Sequence, residues 1–162
     1  MQIGESFIGD GVNAAHVNTV LGARDGPVGT AWATALATPT AGHAPFLAVL
    51  QPGVPVKPFT LFVNKARIDS DIHARMTWGA ARAGIASGVA EAVALDLVFN
   101  PDDVLIAAVW VDPAADDAEA VFANNQRAVI TAISMGQVDG PDEVVIADAS
   151  TEPWNPFFRP PG

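Results

Sequence analysis

The chain has 162 residues, which is the length of one domain, and its 50% content of hydrophobic residues is enough to build a core. Its formal net charge of −10 argues against nucleic-acid binding, which needs clustered Lys and Arg to displace counterions from phosphates. The sequence contains no cysteine, so disulfides, thiolate catalysis and cysteine-ligated zinc are excluded.

The first predicted elements are a strand at residues 3–8 and, after a glycine turn, an alternating segment that carries His16. His16 and Asn18 share one parity of that segment, and the apolar residues Val17 and Leu21 share the other. Because successive side chains of a strand point to opposite faces, one row would anchor the strand and the other would present an imidazole beside a carboxamide. A half-buried, hydrogen-bonded histidine without a catalytic role is the alternative interpretation.

The next predicted elements are a helix at residues 27–38, which begins with a proline, and a strand at residues 45–50. A proline-rich loop then leads to a strand at residues 59–68. The parity of this strand places Lys65 and Arg67 on one face, about 7 Å apart at their Cα atoms. The pattern therefore brings two cations to one place, although a solvated strand end would show the same pattern.

A long helical region is predicted at residues 71–97, with a break near Gly79. Gly84 and Gly88 lie one turn apart in this region, and each costs about 1 kcal/mol of helix propensity relative to alanine. Close contact with a neighbouring element would offset that cost. Arg82 shares a helix face with a tryptophan, so it is either a candidate binding residue or a surface residue stacked on that ring.

The last third of the chain is predicted to contain a central strand at residues 103–111, buried on both faces, and a helix at residues 116–136 that starts in an acidic cap. The polar turn at residues 124–127 is predicted to face solvent or a partner. Residues 144–147 would add a short edge strand. The tail at residues 137–162 is apolar without a pattern of its own, so we expect it to pack at a subunit interface.

The remaining polar residues suggest no further site. His43 and His73 are predicted to be surface histidines, because neither has the spacing to a second ligand that a metal site needs. The acidic pairs are interpreted as turn and cap residues. No signal peptide is visible, and the apolar runs are far shorter than the ~20 residues that span a bilayer. We therefore expect a soluble, cytoplasmic, single-domain protein without a membrane partner.

Several motifs spaced in register along the chain resemble the formaldehyde-activating enzyme family. The resemblance is carried by GDG-x4-H at residues 9–16, LAV-x2-P from Leu47, KP-x-TL-x2-NK at residues 57–65, the small-residue helix at residues 79–93 and the Pro-Phe pair at residues 156–157. It implies an α/β fold of the two-layer α+β type, similar to domain 2 of ribosomal protein S5. It also implies a homopentamer with active sites between neighbouring subunits, and no metal or prosthetic group.

The activity implied by this resemblance is the condensation of formaldehyde with tetrahydromethanopterin, which gives the methylene-pterin and water. The reduced pterin is then a co-substrate, and His16 matches the proton donor of the family. A protonated imidazole suits this step, because the carbinolamine oxygen must take up a proton before it leaves. The substrate-contacting positions of the family fall on Asn18, Leu47, Lys65, Arg67 and Arg82.

Three of these positions depart from the family pattern, which has aspartate, threonine and glutamine where this chain has Asn18, Arg67 and Arg82. Without a carboxylate at position 18, His16 is expected to be a weaker base than in typical members. The two arginines add permanent donors suited to a carboxylate or phosphate. A lyase of the formaldehyde-activating type is therefore the leading hypothesis. The alternatives are a non-catalytic carrier or sensor of a pterin, formaldehyde or small anion, and aldehyde chemistry on another amine.

Overall fold

A computed structural model describes residues 1–138, 140–155 and 160 of the chain. Its strands, in chain order, are β1 (Gln2–Ile8), β2 (Ala15–Gly22), β3 (Phe46–Leu47), β4 (Val49–Gln51), β5 (Val54–Pro55), β6 (Phe59–Asn64) and β7 (Val104–Trp110). Five of them form one sheet in the order β1-β2-β7-β6-β3, and β4 pairs with β5 separately. Neighbours in the larger sheet run antiparallel except for β6 and β7, which are parallel.

The helices, in chain order, are α1 (Pro27–Ala37), α2 (Asp71–Ala74), α3 (Arg82–Ala94), α4 (Ala118–Met135) and α5 (Glu143–Ala149). A wider π-helical turn at Arg75–Ala81 joins α2 to α3, and a 3₁₀ turn at Gly11–Asn13 precedes β2. No helix among the described residues is long and apolar enough to cross a membrane. Helices packed on a mixed sheet make the two-layer α+β fold that was predicted, whereas the likeness to ribosomal protein S5 stays an expectation.

The core lies between one face of the sheet and the pair formed by α3 and α4. The odd-numbered residues of β2 and β7, such as Val17 and Val109, are fully buried there against Ile85 and Val129. Helices α3 and α4 approach closely, as the glycine spacing predicted: a methyl group on Gly84 would overlap the α4 backbone. The alternation of strand side chains thus sends the other row of β2 to the opposite face of the sheet.

The opposite face is only partly covered. Helix α1 contacts β2 and β7 there, and its Val28 is buried outside the main core cluster, as is Leu61 of β6. Trp32 of α1 donates a hydrogen bond from Nε1 to the carbonyl oxygen of Phe59, at 3.1 Å. Helix α1 therefore covers the end of this face where β6 and β7 begin. The other end, which carries His16, is called the open face below.

The structure corrects several element boundaries. The predicted strand at residues 45–50 is divided into β3 and β4, and the strand predicted at residues 59–68 ends at Asn64. The predicted break near Gly79 coincides with the π-helical turn at Arg75–Ala81, which interrupts the α-helical geometry while the backbone continues from α2 to α3. The predicted edge strand at residues 144–147 lies within α5, since Asp142 caps a helix there by accepting a hydrogen bond from Val145 N at 2.9 Å.

One prediction of surface position is wrong, and a second holds only in part. His73 is fully buried, with its Nε2 atom 3.1 Å from the carbonyl oxygen of Val111, because the cap at Ser70 turns this face of α2 inward. In the turn at residues 124–127, Asn124 is 8% exposed and Asn125 is fully buried, so only part of that turn faces solvent. The Pro-Phe pair at residues 156–157 and part of the predicted tail lie outside the described residues.

Candidate functional site

His16 lies in a row of aromatic side chains across three strands. The strand register places it directly opposite Phe7 of β1 on one side and opposite Trp110 of β7 on the other. The Phe7 ring meets the imidazole edge to face, with 6.2 Å between ring centroids and 68° between ring planes. The His16 side chain keeps 27% of its surface exposed. The predicted imidazole is therefore held on the open face and accessible to a ligand.

A carboxylate reaches this imidazole from the edge strand. Glu5 Oε1 of β1 lies 2.9 Å from His16 Nε2. Glu5 is directly opposite Asn18 in the register, so it contacts His16 along the diagonal of the antiparallel pair. The expectation that His16 is a weaker base than in typical family members was drawn from Asn18 alone, without this carboxylate, and it stays a prediction. A strand alternation shows which residues share a face but not which neighbouring strand supplies a diagonal partner, so the sequence alone did not identify Glu5.

Asn18 and Lys65 belong to the same face as His16. Asn18 follows His16 by two residues on β2, and its side chain is half-buried and makes no hydrogen bond to a described residue. The amide of Lys65 donates to the carbonyl oxygen of Val109 at 2.8 Å, which extends the parallel register and sets Lys65 beside Trp110. His16 and Lys65 are thus two strand spacings apart, or about 10 Å between their backbones.

Leu47, Arg67 and Arg82 lie at the other edge of the sheet. Leu47 pairs with Leu61 across β3 and β6, and the side chain of Arg67 packs against Gly42 in the preceding loop. The Arg82 guanidinium lies over the ring of Phe46, 5.3 Å from its centroid. Trp78 meets the same ring edge to face at 5.7 Å, so Arg82 is stacked on Phe46 rather than on the tryptophan.

The six predicted site residues therefore form two groups in one chain, which adjoin at Lys65 and Arg67. The first group, His16, Asn18 and Lys65, shares the open face. The second group, Leu47, Arg67 and Arg82, surrounds the β3 edge. Following the register from Leu47 through Leu61 and Ile106 leads to Val20, four residues along β2 from His16. Three strand spacings and four residues of rise put Leu47 about 20 Å from His16, whereas Arg67 follows Lys65 by only two residues.

Six of the seven lysines and arginines in the part of the chain that the structure describes form no ion pair with a carboxylate: Arg24, Lys65, Arg67, Arg75, Arg82 and Arg127. Four of the six lie within residues 65–82 of a chain with 18 acidic residues and only 8 basic ones. Lys65, Arg67 and Arg75 are exposed, and Arg82 is half-buried against Phe46. Unpaired cations in so acidic a chain are available to an anionic ligand.

The opposite end of the sheet has a surface cavity of about 630 Å³ that contains none of these residues; Arg24, Asp25 and Asp102 are among those that line it. The Lys57 ammonium donates a hydrogen bond to Asp102 Oδ1 at 3.0 Å. That hydrogen bond and the charge of Lys57 lower the pKa of Asp102 below its ordinary value. Since both side chains are exposed, the pair is a solvated ion pair at a loop and gives no reason to place chemistry there.

Comparison with known proteins gives a consistent assignment. The family model described as "Formaldehyde-activating enzyme (Fae)" matches residues 3–158. Among similar proteins, the "Bifunctional enzyme Fae/Hps" of Methanosphaera stadtmanae is 35% identical over 97% of this chain and 42% of the relative. The protein of the same name from Archaeoglobus fulgidus is 33% identical over 96% of this chain and 40% of the relative.

A third relative, the "Bifunctional enzyme Fae/Hps" of Methanococcoides burtonii, is 37% identical over 88% of this chain and 37% of its own length. The chain thus spans about two fifths of the length of the curated relatives it matches. The family match, by contrast, covers nearly the whole chain. This chain therefore belongs to the formaldehyde-activating enzyme family.

Proposed function

We propose that this chain condenses formaldehyde with a reduced pterin similar to tetrahydromethanopterin, releasing the methylene-pterin and water. The observation that carries the proposal is the position of His16, an accessible imidazole beside a carboxylate on the open face of the sheet. Family membership supports the same substrate class. The pterin is a co-substrate, and the chemistry needs no bound metal or prosthetic group.

In the proposed reaction, an amine nitrogen of the pterin first adds to formaldehyde and forms a carbinolamine. His16 then acts as general acid and protonates the carbinolamine oxygen, which leaves as water. The second amine nitrogen closes the methylene bridge and loses its proton, which can return to the imidazole. His16 suits both transfers because imidazole exchanges protons near neutral pH.

The proposed binding residues come from both groups. Asn18 and Lys65 lie on the same face as His16, whereas Leu47, at the β3 edge beside the Phe46 ring that Arg82 covers, lies about 20 Å from His16 in the same chain. That separation supports a site completed by a neighbouring subunit, as in the homopentamer that the family resemblance implies. In such an assembly, one chain would present His16 and the next would present the β3 edge.

Substitution of His16 tests the catalytic proposal. We expect His16→Ala to lower the rate of methylene-pterin formation, after subtraction of the spontaneous reaction, by about 100-fold or more. Arg24→Gln is the control, because Arg24 lines the surface cavity at the opposite end of the sheet. Equal rates in wild type and His16→Ala would remove the catalytic claim.

The unpaired cations favour a second candidate function, a non-catalytic carrier or sensor of an anionic pterin or a small anion. A guanidinium binds a carboxylate or phosphate through two parallel hydrogen bonds. Arg67 and Arg82 are available for this, since neither has a carboxylate partner among the described residues. In the carrier, the anion would bind tightly and no turnover would follow.

Titration calorimetry against folates, methanopterins and simple anions separates the two functions. For either one, the double variant Arg67→Gln/Arg82→Gln should bind an anionic ligand about tenfold more weakly, a loss of about 1.4 kcal/mol. Arg24→Gln is the control, because Arg24 lies over Phe59 at the other end of the sheet. Tight binding without turnover would favour the carrier, and unchanged affinity in the double variant would exclude Arg67 and Arg82 from the binding site.

A further inference from the structure

We infer that Glu5 is a positioning residue for His16: its carboxylate holds the proton on Nε2, and Nδ1 becomes the nitrogen that exchanges a proton with the substrate. The inference rests on the proposed function, in which His16 is the general acid. It adds an atom-level assignment and a residue that the strand alternation did not identify. The argument depends on the placement of Glu5, the packing of the ring and the chemistry of a carboxylate.

The position of Glu5 is set by the core. Its neighbours Gly4 and Ser6 are both buried, and the alternation of β1 therefore turns Glu5 to the open face. Gly4 packs so closely against α4 that a methyl group there would overlap the carbonyl oxygen of Ala132. A shift in the pairing of β1 with β2 would break this contact, so the register that places Glu5 opposite Asn18 is fixed.

The imidazole is held on two sides. Phe7 packs against it edge to face, and Glu5 Oε1 lies 2.9 Å from Nε2. An ionised carboxylate can only accept hydrogen bonds, so this short contact requires a hydrogen on Nε2 whether the ring is neutral or charged. The contact therefore selects the Nε2–H tautomer of the neutral ring. Exchange of a proton with the substrate then falls to Nδ1.

The proton balance of the proposed reaction fits this assignment. The charged ring carries hydrogen on both nitrogens, and it gives the Nδ1 proton to the carbinolamine oxygen as the carbon–oxygen bond breaks and water leaves. The ring becomes neutral, and the hydrogen that stays on Nε2 continues to face the Glu5 carboxylate. When the second amine nitrogen attacks the iminium carbon, its proton returns to Nδ1. Glu5 itself takes up no proton, as for the carboxylate partner of a catalytic histidine in general.

A surface ion pair with no effect on catalysis is the competing explanation, because Glu5 is 59% exposed and exposed pairs contribute little. The two explanations differ in what they predict for the ring. A positioning residue controls the tautomer and the catalytic rate. A solvated pair controls neither.

The test combines nitrogen NMR of histidine-labelled protein with steady-state kinetics. At a pH where the ring is neutral, wild-type His16 should be in the Nε2–H form, assigned by comparison with His16→Ala. Glu5→Gln and Glu5→Ala should each populate both tautomers, because an amide can offer Nε2 either its oxygen or its NH2 group and alanine offers neither. Glu5→Ala should also lower kcat about tenfold or more and leave the pterin KM within about twofold. Glu119→Gln, an exposed glutamate in the first turn of α4, is the control.

An Nδ1–H tautomer in the wild type would overturn the inference, as would a Glu5→Ala variant with the wild-type tautomer and kcat. Glu5→Gln keeps the test decisive if Glu5→Ala is too unstable to study, since an unchanged tautomer population and kcat in that variant would also count against the inference. The NMR measurement needs no pterin. A wild type without turnover would therefore contradict the proposed function and the catalytic part of the inference, while the tautomer would still report on the pairing of Glu5 with His16.

Discussion

At the scale of single residues, the packing of α3 on α4 depends on the absence of a side chain at Gly84. A methyl group there would overlap the carbonyl oxygen of Phe122 and lie 3.2 Å from Asn125 Cβ. Gly79, five residues earlier, is exposed and has no atom within 4 Å of the position that a methyl group would take. The two glycines therefore play opposite parts in the stability of the same helical region.

Alanine at these two positions gives a matched prediction. Gly84→Ala should lower the free energy of unfolding by about 1–3 kcal/mol, because the α4 backbone must move to admit the methyl group. Gly79→Ala should raise it by about 0.5–1 kcal/mol, because alanine restricts the unfolded chain and favours the helix. Urea denaturation at one fixed protein concentration measures both values. Equal effects of the two substitutions would show that the close contact at Gly84 has no energetic consequence.

The sequence predicted those features of the candidate site that follow from the alternation of side chains along a strand. The period of two placed His16 and Asn18 together on the open face and the apolar row of β2 in the core, as the burial confirms. Glu5 and Trp110 were not predicted as neighbours of His16. Their proximity depends on the register between strands that are distant in sequence, and no local pattern contains that register.

At the scale of elements, the long periodic segments were predicted well. Helix α4 begins at the acidic cap, where Asp117 accepts hydrogen bonds from the amides of Glu119 and Ala120, and it ends at Gly136. Strand β7 is the central apolar strand that its β-branched run predicted. In these segments the local preference and the tertiary packing agree.

The short apolar segments were predicted less well. The run at residues 144–147 suits a short strand or a buried helical turn equally, and the cap at Asp142 makes it part of α5. The buried position of His73 has a similar cause: it depends on which face of α2 meets the sheet, and a helix of four residues is too short to show a periodic pattern. Length therefore decides whether a local pattern identifies an element.

At the scale of the whole molecule, much apolar surface is left uncovered in a single chain. Helix α5 has no buried residue, and the exposed apolar side chains of this region include Val144, Val145, Ile146 and Trp154. Exposed apolar groups on this scale are typical of surfaces that meet another protein. The prediction that the tail packs at a subunit interface is consistent with this exposure, and it remains a prediction.

Mixed assemblies test whether one site uses residues of two chains. His16→Ala should be inactive, and a chain carrying both Arg67→Ala and Arg82→Ala should keep about a tenth of wild-type turnover at a pterin concentration well below KM, because it binds the pterin about tenfold more weakly. Suppose that the two groups meet only between subunits and that the two variant chains are co-expressed in equal amounts. A complete site then needs His16 from an arginine variant and both arginines from a neighbouring His16→Ala chain. Each condition is met with a probability of about one half, so about one site in four should be wild type.

The expected result is a mixed preparation with about a quarter of wild-type turnover, measured at the same total subunit concentration. Co-expression of two His16→Ala chains that carry different affinity tags is the control, because no arrangement of those chains restores the imidazole. If both groups belonged to a site within one chain, every site of the mixture would lack one of them. The mixture would then be no more active than its parents, and the proposal that each site is built from two neighbouring chains would be wrong.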